Sequence, residues 1–136
     1  MNGGNAMVDV AAGLLFSGGK LLIAQRPPGT HLAGLWEFPG GKVVTGETWE
    51  QCLTRELQEE LGVEVEPGSL YEEIVHAYPA KTVRLRFFVC TSWRGEPRPI
   101  ECAALAWITR AELSNYTFPP ADERLISRLA REAWPA

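Results

Sequence analysis

The sequence predicts one α/β domain, a mixed sheet lying between helices, and three observations carry that expectation. Apolar runs of strand length recur from Val8 to Trp107, separated by turns marked with glycine and proline. A capped amphipathic helix pattern interrupts them over Trp49 to Leu61, and a second closes the chain over Glu123 to Trp134. The 136 residues are enough to bury a core without staples, and no internal repeat or low-complexity linker divides them.

In chain order, residues 1–6 are rich in glycine and asparagine and read as a loose end, with the domain running from residue 7 to 136. Val8 to Phe16 and Lys20 to Gln25 are strands joined by the hairpin signal Ser17-Gly18-Gly19. Arg26 to Gly34 follows as a loop. Arg26 stands where the strand ends and can reach over a cleft, and His31 sits within the loop. Leu35 to Lys42 reads LWEFPGGK; its paired glycines let backbone oxygens approach a metal closely. Trp36 and Phe38 can either wall a pocket or fill a core.

Beyond the central helix, Ser69 to Tyr78 and Thr82 to Trp93 read as strands with a turn at Pro79-Ala80-Lys81. On the second strand Val83, Leu85, Phe87 and Val89 share one face, and Arg84, Arg86 and Phe88 share the other. His76 reads as structural. Gly95 to Pro99 breaks the strand, and a further strand runs from Glu101 to Trp107. Thr109 is a plausible cap for a helical turn ending at Leu113. The segment Phe118-Pro119-Pro120-Ala121-Asp122 leads into the last helix, whose Leu125, Ile126 and Leu129 face inward.

The central helix is where structure alone stops explaining the residues. Thr48 with Gln51 forms a capping-box pattern, and Gly62 supplies the stop. At about 100° per residue, Leu53, Leu57 and Leu61 fall within one stripe that must face a core. Glu56, Glu59 and Glu60 crowd the flank of that stripe, where like charges repel and a carboxylate is costly to desolvate. Arg55, within reach of Glu47, is one compensating charge and does not suffice for all of them. Clustered hard oxygen ligands with too few cations suit a divalent ion, Mg²⁺ or in its place Mn²⁺. A solvated acidic face is the competing reading of such a run.

Net charge is −4, which argues against broad binding to duplex nucleic acid. A small anionic ligand remains compatible, provided a metal and local cations neutralise it. Cys52, Cys90 and Cys102 are odd in number and lack metal-ligand spacing, so free thiols in a reducing cytoplasm are expected. No signal peptide or membrane-length apolar run occurs.

Gly41, Glu47 and the run Arg55-Glu56-Leu57-Gln58-Glu59-Glu60-Leu61-Gly62-Val63 together resemble the Nudix box at every defined position. LWEFPGGK resembles the segment that precedes the box in MutT-type members. The resemblance extends over nearly the whole chain and implies the Nudix α/β/α sandwich. It also implies a hydrolase that converts a nucleoside triphosphate and water into a monophosphate and pyrophosphate. It assigns a divalent metal to the Gly40 carbonyl, Glu56, Glu59, Glu60 and Glu101, with Glu59 or Glu101 as base. Arg55 and Glu47 hold the loop to the helix. Nucleotide contacts are implied for Arg26, His31, Glu37, Phe38, Pro39, Gly40, Lys81 and Asp122.

The resemblance implies an 8-oxo-dGTP diphosphatase that cleanses the oxidised nucleotide pool, yet it departs at one position. Such enzymes carry an asparagine after FPPA, which both donates and accepts; this chain has Asp122, which when ionised only accepts. Asp122 can accept from the N1–H and 2-amino groups of guanine, or from the exocyclic amine of cytosine. The segments AQRP, GLWEFPGGK and PAD also resemble CTP and 5-methyl-dCTP pyrophosphohydrolases of the family. A binding module without turnover is a third class, disfavoured because every box carboxylate is present.

Overall fold

The computed structural model describes residues 6–136. Most of the expected loose end lies outside the described residues, and Ala6 opens the first strand. In chain order the elements are β1 (Ala6–Ser17), β2 (Lys20–Gln25), β3 (Trp36–Glu37), β4 (Gly40–Lys42), α1 (Trp49–Leu61), β5 (Glu64–Val65) and β6 (Leu70–Ala77). There follow β7 (Lys81–Cys90), β8 (Trp93–Arg94), β9 (Ala104–Ile108), two short 3₁₀ turns (Arg110–Asn115 and Pro120–Asp122) and α2 (Glu123–Arg131).

β1 is the spine. It pairs in parallel with β7 from Ala6↔Lys81 to Leu15↔Cys90, antiparallel with β4, and at its far end antiparallel with β2. The sheet runs β3-β2-β1-β7-β6, with β9 added on β2, so parallel and antiparallel pairs mix as expected. Because both faces of β1 are covered, its sequence is almost continuously apolar. Leu14 and Phe16 join the core beneath α2, whereas Leu15 joins the core beneath α1. The hairpin between β1 and β2 turns on Gly18 and Gly19, both at positive φ (58° and 77°), the conformation a tight antiparallel turn demands.

α1 spans the predicted residues, with the reciprocal Thr48–Gln51 capping box in place and Gly62 in the left-handed conformation at φ 72°. Leu53, Leu57 and Leu61 are fully buried.

Elsewhere the predicted bounds shift. Lys81 opens β7 rather than lying in the turn, because the Tyr78 N–H bonds to the Lys81 carbonyl (2.7 Å) and closes the hairpin there. Trp93 leaves the strand and forms a separate two-stranded ribbon with Val65. The strand expected from Glu101 starts at Ala104, since the preceding residues are drawn to the end of α1: the N–H groups of Arg98 and Ile100 bond to the carbonyls of Leu61 and Glu60. α2 ends at Arg131, three residues before the predicted Trp134; Glu132 turns extended and takes Arg128 and Tyr71 on its carboxylate. Trp134 folds back to meet Phe16 edge-on.

Candidate active site

Arg55 gathers the acids at the edge of α1. Its guanidinium makes paired bonds to Glu47 (2.7 and 3.1 Å), a bond to Glu56 (2.9 Å) and one to Glu59 (3.1 Å), and it reaches the Lys42 carbonyl (3.2 Å). Glu47 also accepts from the Val44 N–H (3.0 Å). The Arg55 hydrogen bonds hold the Glu47 carboxyl down at about 2. This pair ties the loop before α1 to the helix.

The glycines before α1 leave room for this packing. A Cβ on Gly41 would collide with the Glu56 carboxylate, and one on Gly40 would collide with the Ala11 carbonyl across the β1–β4 pair. The absence of a side chain at Gly41 is what allows Glu56 to lie against the backbone.

Glu60 is the electrostatic centre. Burial pushes its carboxyl up to about 9, and the charges of Glu37, Glu56 and Glu101 push the same way against one backbone hydrogen bond from Gly40. Glu101 comes close because the Ile100 N–H bonds to the Glu60 carbonyl (3.1 Å), so the chain after Gly95 caps the helix and delivers the acid one residue later. Among the described residues, no three acid, histidine or cysteine side chains converge into a ready cage; Arg55 draws Glu56 and Glu59 toward itself. The donor set nonetheless fits a hard divalent ion. Such ions are commonly held by one or two carboxylates together with substrate phosphates, and a cation beside Glu60 would offset the burial and the repulsion that raise its pKa.

A cavity of about 350 Å³ is lined by Glu37, whose charge reaches Glu60; Glu56, Glu59, Glu60 and Glu101 are not among its lining residues. Arg26, His31, Glu37, Phe38, Lys81 and Asp122 line it, six of the eight predicted nucleotide contacts. Pro39 and Gly40 lie outside its walls: Pro39 is buried with its carbonyl bonded to the Gly13 N–H (2.8 Å), and Gly40 is paired with Ala12. Val83, Leu85 and Phe87, which alternation places on one face of β7, form the floor. Phe38 stacks on Phe118 at 5.3 Å, so it serves core and cavity wall together, while Trp36 packs edge-on against Tyr116.

Arg26 does not extend freely across the cavity. It bonds to Glu37 (2.6 Å) and to the His31 carbonyl (2.6 Å), fixing the loop that carries His31. Burial raises Glu37 more than Arg26 lowers it. Asp122 is the one charged side chain that is buried among the described residues, 7% exposed; burial and the charge of Glu37 push it up to about 7. Glu37 therefore acts on both Glu60 of α1 and the cavity-side Asp122. Lys42, at the end of β4, also lines the cavity and links it to the glycine loop.

Sequence reasoning missed Tyr78 and Lys42 as cavity residues. The signal for Lys42 was its place directly after the glycine pair; for Tyr78 nothing local distinguished it from a strand-end aromatic. His76, read as structural, packs on Tyr78 at 4.6 Å and does not line this cavity.

A sheet between helices, with a carboxylate-flanked helix and a cavity the size of a small organic ligand, is the architecture of an α/β protein with a small-molecule site. A family profile described as NUDIX domain matches residues 11–128, and the chain belongs to the Nudix family as a MutT-like Nudix hydrolase. It is 40% identical over 127 residues to an 8-oxo-dGTP diphosphatase of Haemophilus influenzae, covering 93% of each chain. It is 37% identical over 120 residues to the CTP pyrophosphohydrolase of Escherichia coli, covering 88% of this chain and 89% of that one. Among solved structures it resembles the MutT described for Aliivibrio salmonicida and Vibrio cholerae, with a TM-score of 0.79, 31% identity and coverage of 91% and 97%. Hydrolases of this family depend on divalent cations.

Proposed function

We propose that the chain is a Mg²⁺-dependent nucleoside triphosphate pyrophosphohydrolase of the cytoplasm, acting on 8-oxo-dGTP to give the monophosphate and pyrophosphate. The observation that carries this reading is the cavity in which six expected nucleotide contacts stand together, Asp122 among them, with Glu37 of its wall acting on Glu60 of α1. The glycine loop joins the two: Lys42 faces the cavity, and Gly41 faces Glu56.

Glu56, Glu59, Glu60, Glu101 and the Gly40 carbonyl would hold the cation, which when bound supplies charge neutralisation and Lewis acidity at the phosphates. Glu59, half-exposed, or Glu101, exposed in the loop after Ile100, would take a proton from an attacking water. Arg55 and Glu47 keep the loop and helix in register. The apolar floor and Phe38 exclude water from the base.

Asp122 supports the guanine reading because its raised pKa brings the neutral acid within reach at neutral pH. A neutral carboxyl offers one donor and one acceptor, as an amide does. The cytosine reading stands second, favoured by the CTP pyrophosphohydrolase relative and by the acceptor-only character of the ionised carboxylate. The three free thiols are those expected of a reducing compartment, and among the described residues no helix is long and apolar enough to cross a membrane.

The test is pyrophosphate release with Mg²⁺ across 8-oxo-dGTP, dGTP, dCTP and 5-methyl-dCTP, compared by kcat/KM. A preference for 8-oxo-dGTP supports the proposal; a preference for the cytosine nucleotides replaces it with the second reading.

A further inference from the structure

We propose that Leu32 is a specificity-determining residue that favours purine over pyrimidine nucleotides: a strained turn holds it at the cavity, where its side chain meets the face of the base. The inference rests on the guanine reading above.

Two turns follow one another in the loop between β2 and β3. The Ala33 N–H bonds to the Thr30 carbonyl and the Leu35 N–H to the Leu32 carbonyl, both at 3.2 Å. Leu32 is the third residue of the first turn and Gly34 the third of the second, and both take positive φ (59° and 85°). Glycine or asparagine is the usual choice at such a position, because a branched side chain there crowds its own backbone. Leu32 is the one residue other than glycine with positive φ among the described residues. The loop around it is tied down at both ends. The Arg26 N–H bonds to the Leu35 carbonyl (2.9 Å), the Gly34 N–H to the Arg26 carbonyl (3.1 Å), and the Arg26 guanidinium to the His31 carbonyl (2.6 Å).

Strain of this kind persists where something else depends on it. Core packing is not the compensation, since among the described residues Leu32 joins neither of the two buried clusters and stays part-exposed. It lines the cavity instead, and of the three loop residues that do so it is the apolar one, beside Arg26 and His31. An aliphatic side chain gains nothing from a phosphate, whereas the faces of a base are apolar and Asp122 takes only an edge. A purine has a second ring and more apolar area than a pyrimidine, so a contact made by Leu32 favours the larger base.

The experiment measures kcat and KM on 8-oxo-dGTP, dGTP and dCTP, together with thermal melts, for wild type, Leu32→Ala and Leu32→Gly. Alanine removes the contact and keeps a Cβ on the strained backbone; glycine removes both. In each variant KM should rise roughly fivefold on the two purine nucleotides and less than about twofold on dCTP, with kcat held. Leu32→Gly should melt above Leu32→Ala and not below wild type, because the strain is relieved and no core contact is lost. An unchanged KM, an equal rise on all three nucleotides, or a Leu32→Gly melt below wild type, the mark of a leucine that only packs the loop, overturns the assignment and leaves the guanine reading intact. A wild-type preference for dCTP overturns the guanine reading itself, and the purine selectivity with it, before any variant is compared.

Discussion

At the scale of single residues, the two acids with strongly raised pKa values both cost stability at neutral pH and differ in what their replacement does to activity. Glu60 titrates at about 9 in the fold against an ordinary value of 4.5, so the folded state holds a proton that the unfolded chain releases in mildly acid solution. Its stabilising contribution is complete below pH ~4.5 and drains away as pH rises toward 9. Glu60→Gln removes that dependence. The metal-free variant is expected to be more stable than wild type at pH 7 by on the order of 2 kcal/mol while retaining under about 1% of turnover. Denaturant titrations and pyrophosphate release check the two halves, and near-normal turnover would remove Glu60 from the ligand set. Asp122 has the same sign over a narrower window, from 3.8 to about 7. Asp122→Asn is expected to gain on the order of 2 kcal/mol at pH 8 and nothing at pH 4. It is also expected to keep turnover of 8-oxo-dGTP, since an amide retains both a donor and an acceptor. Stability that rises equally at both pH values would show that the carboxyl is not desolvated in the fold.

At the scale of elements, legibility followed how local the determinants were. α1 was readable to the residue because its Thr48 cap, leucine stripe and Gly62 stop all lie within the helix or beside it. The β5–β8 ribbon was not, since each strand has two residues and exists only through the pairing of Val65 with Trp93. Glu101 was identified by its resemblance, but the reason it nears Glu60 is non-local: the Ile100 N–H satisfies a carbonyl at the C-terminus of α1. The outer edge of β6 is protected in a way no strand pattern announces, with Arg124 and Arg128 of α2 bonding to the Glu73 and Tyr71 carbonyls. The glycine loop gives the sharpest test at this scale. In Gly41→Ala the added Cβ occupies the space of the Glu56 carboxylate, an ionic side chain that can swing away, whereas in Gly40→Ala it strikes the backbone of β1. Gly41→Ala should therefore lose most activity with only about 1 kcal/mol of stability, and Gly40→Ala should lose several kcal/mol and its fold at modest temperature. Melting curves and kcat/KM of the pair distinguish the two, and equal melting temperatures would contradict the backbone clash.

At the scale of the whole molecule, two sites that the sequence presents as separate motifs are one electrostatic unit. Glu37 on β3 raises Glu60 on the side of α1 and Asp122 on the side of the cavity, and the β4 loop carries Gly41 toward one and Lys42 toward the other. In a protein of net charge −4, the charges of Glu37, Glu56 and Glu101 add to burial in raising Glu60, a repulsion that a cation would relieve. On the proposed ligand set, a bound Mg²⁺ would displace the proton from Glu60, because a carboxyl coordinates as its anion. Stabilisation by the ion follows mass action, about 2.7 kcal/mol at a hundred times Kd, and should raise the melting temperature by several degrees. Since one proton leaves for each ion bound, the apparent affinity should strengthen with pH, by up to tenfold per unit while pH stays below about 9. At one Mg²⁺ concentration the shift in melting temperature should be larger at pH 8 than at pH 6, should vanish on chelation, and should be absent in Glu60→Gln. A shift of the same size at both pH values would mean that the ion binds without displacing a proton, and would take Glu60 out of the site around which the rest of the molecule is charged.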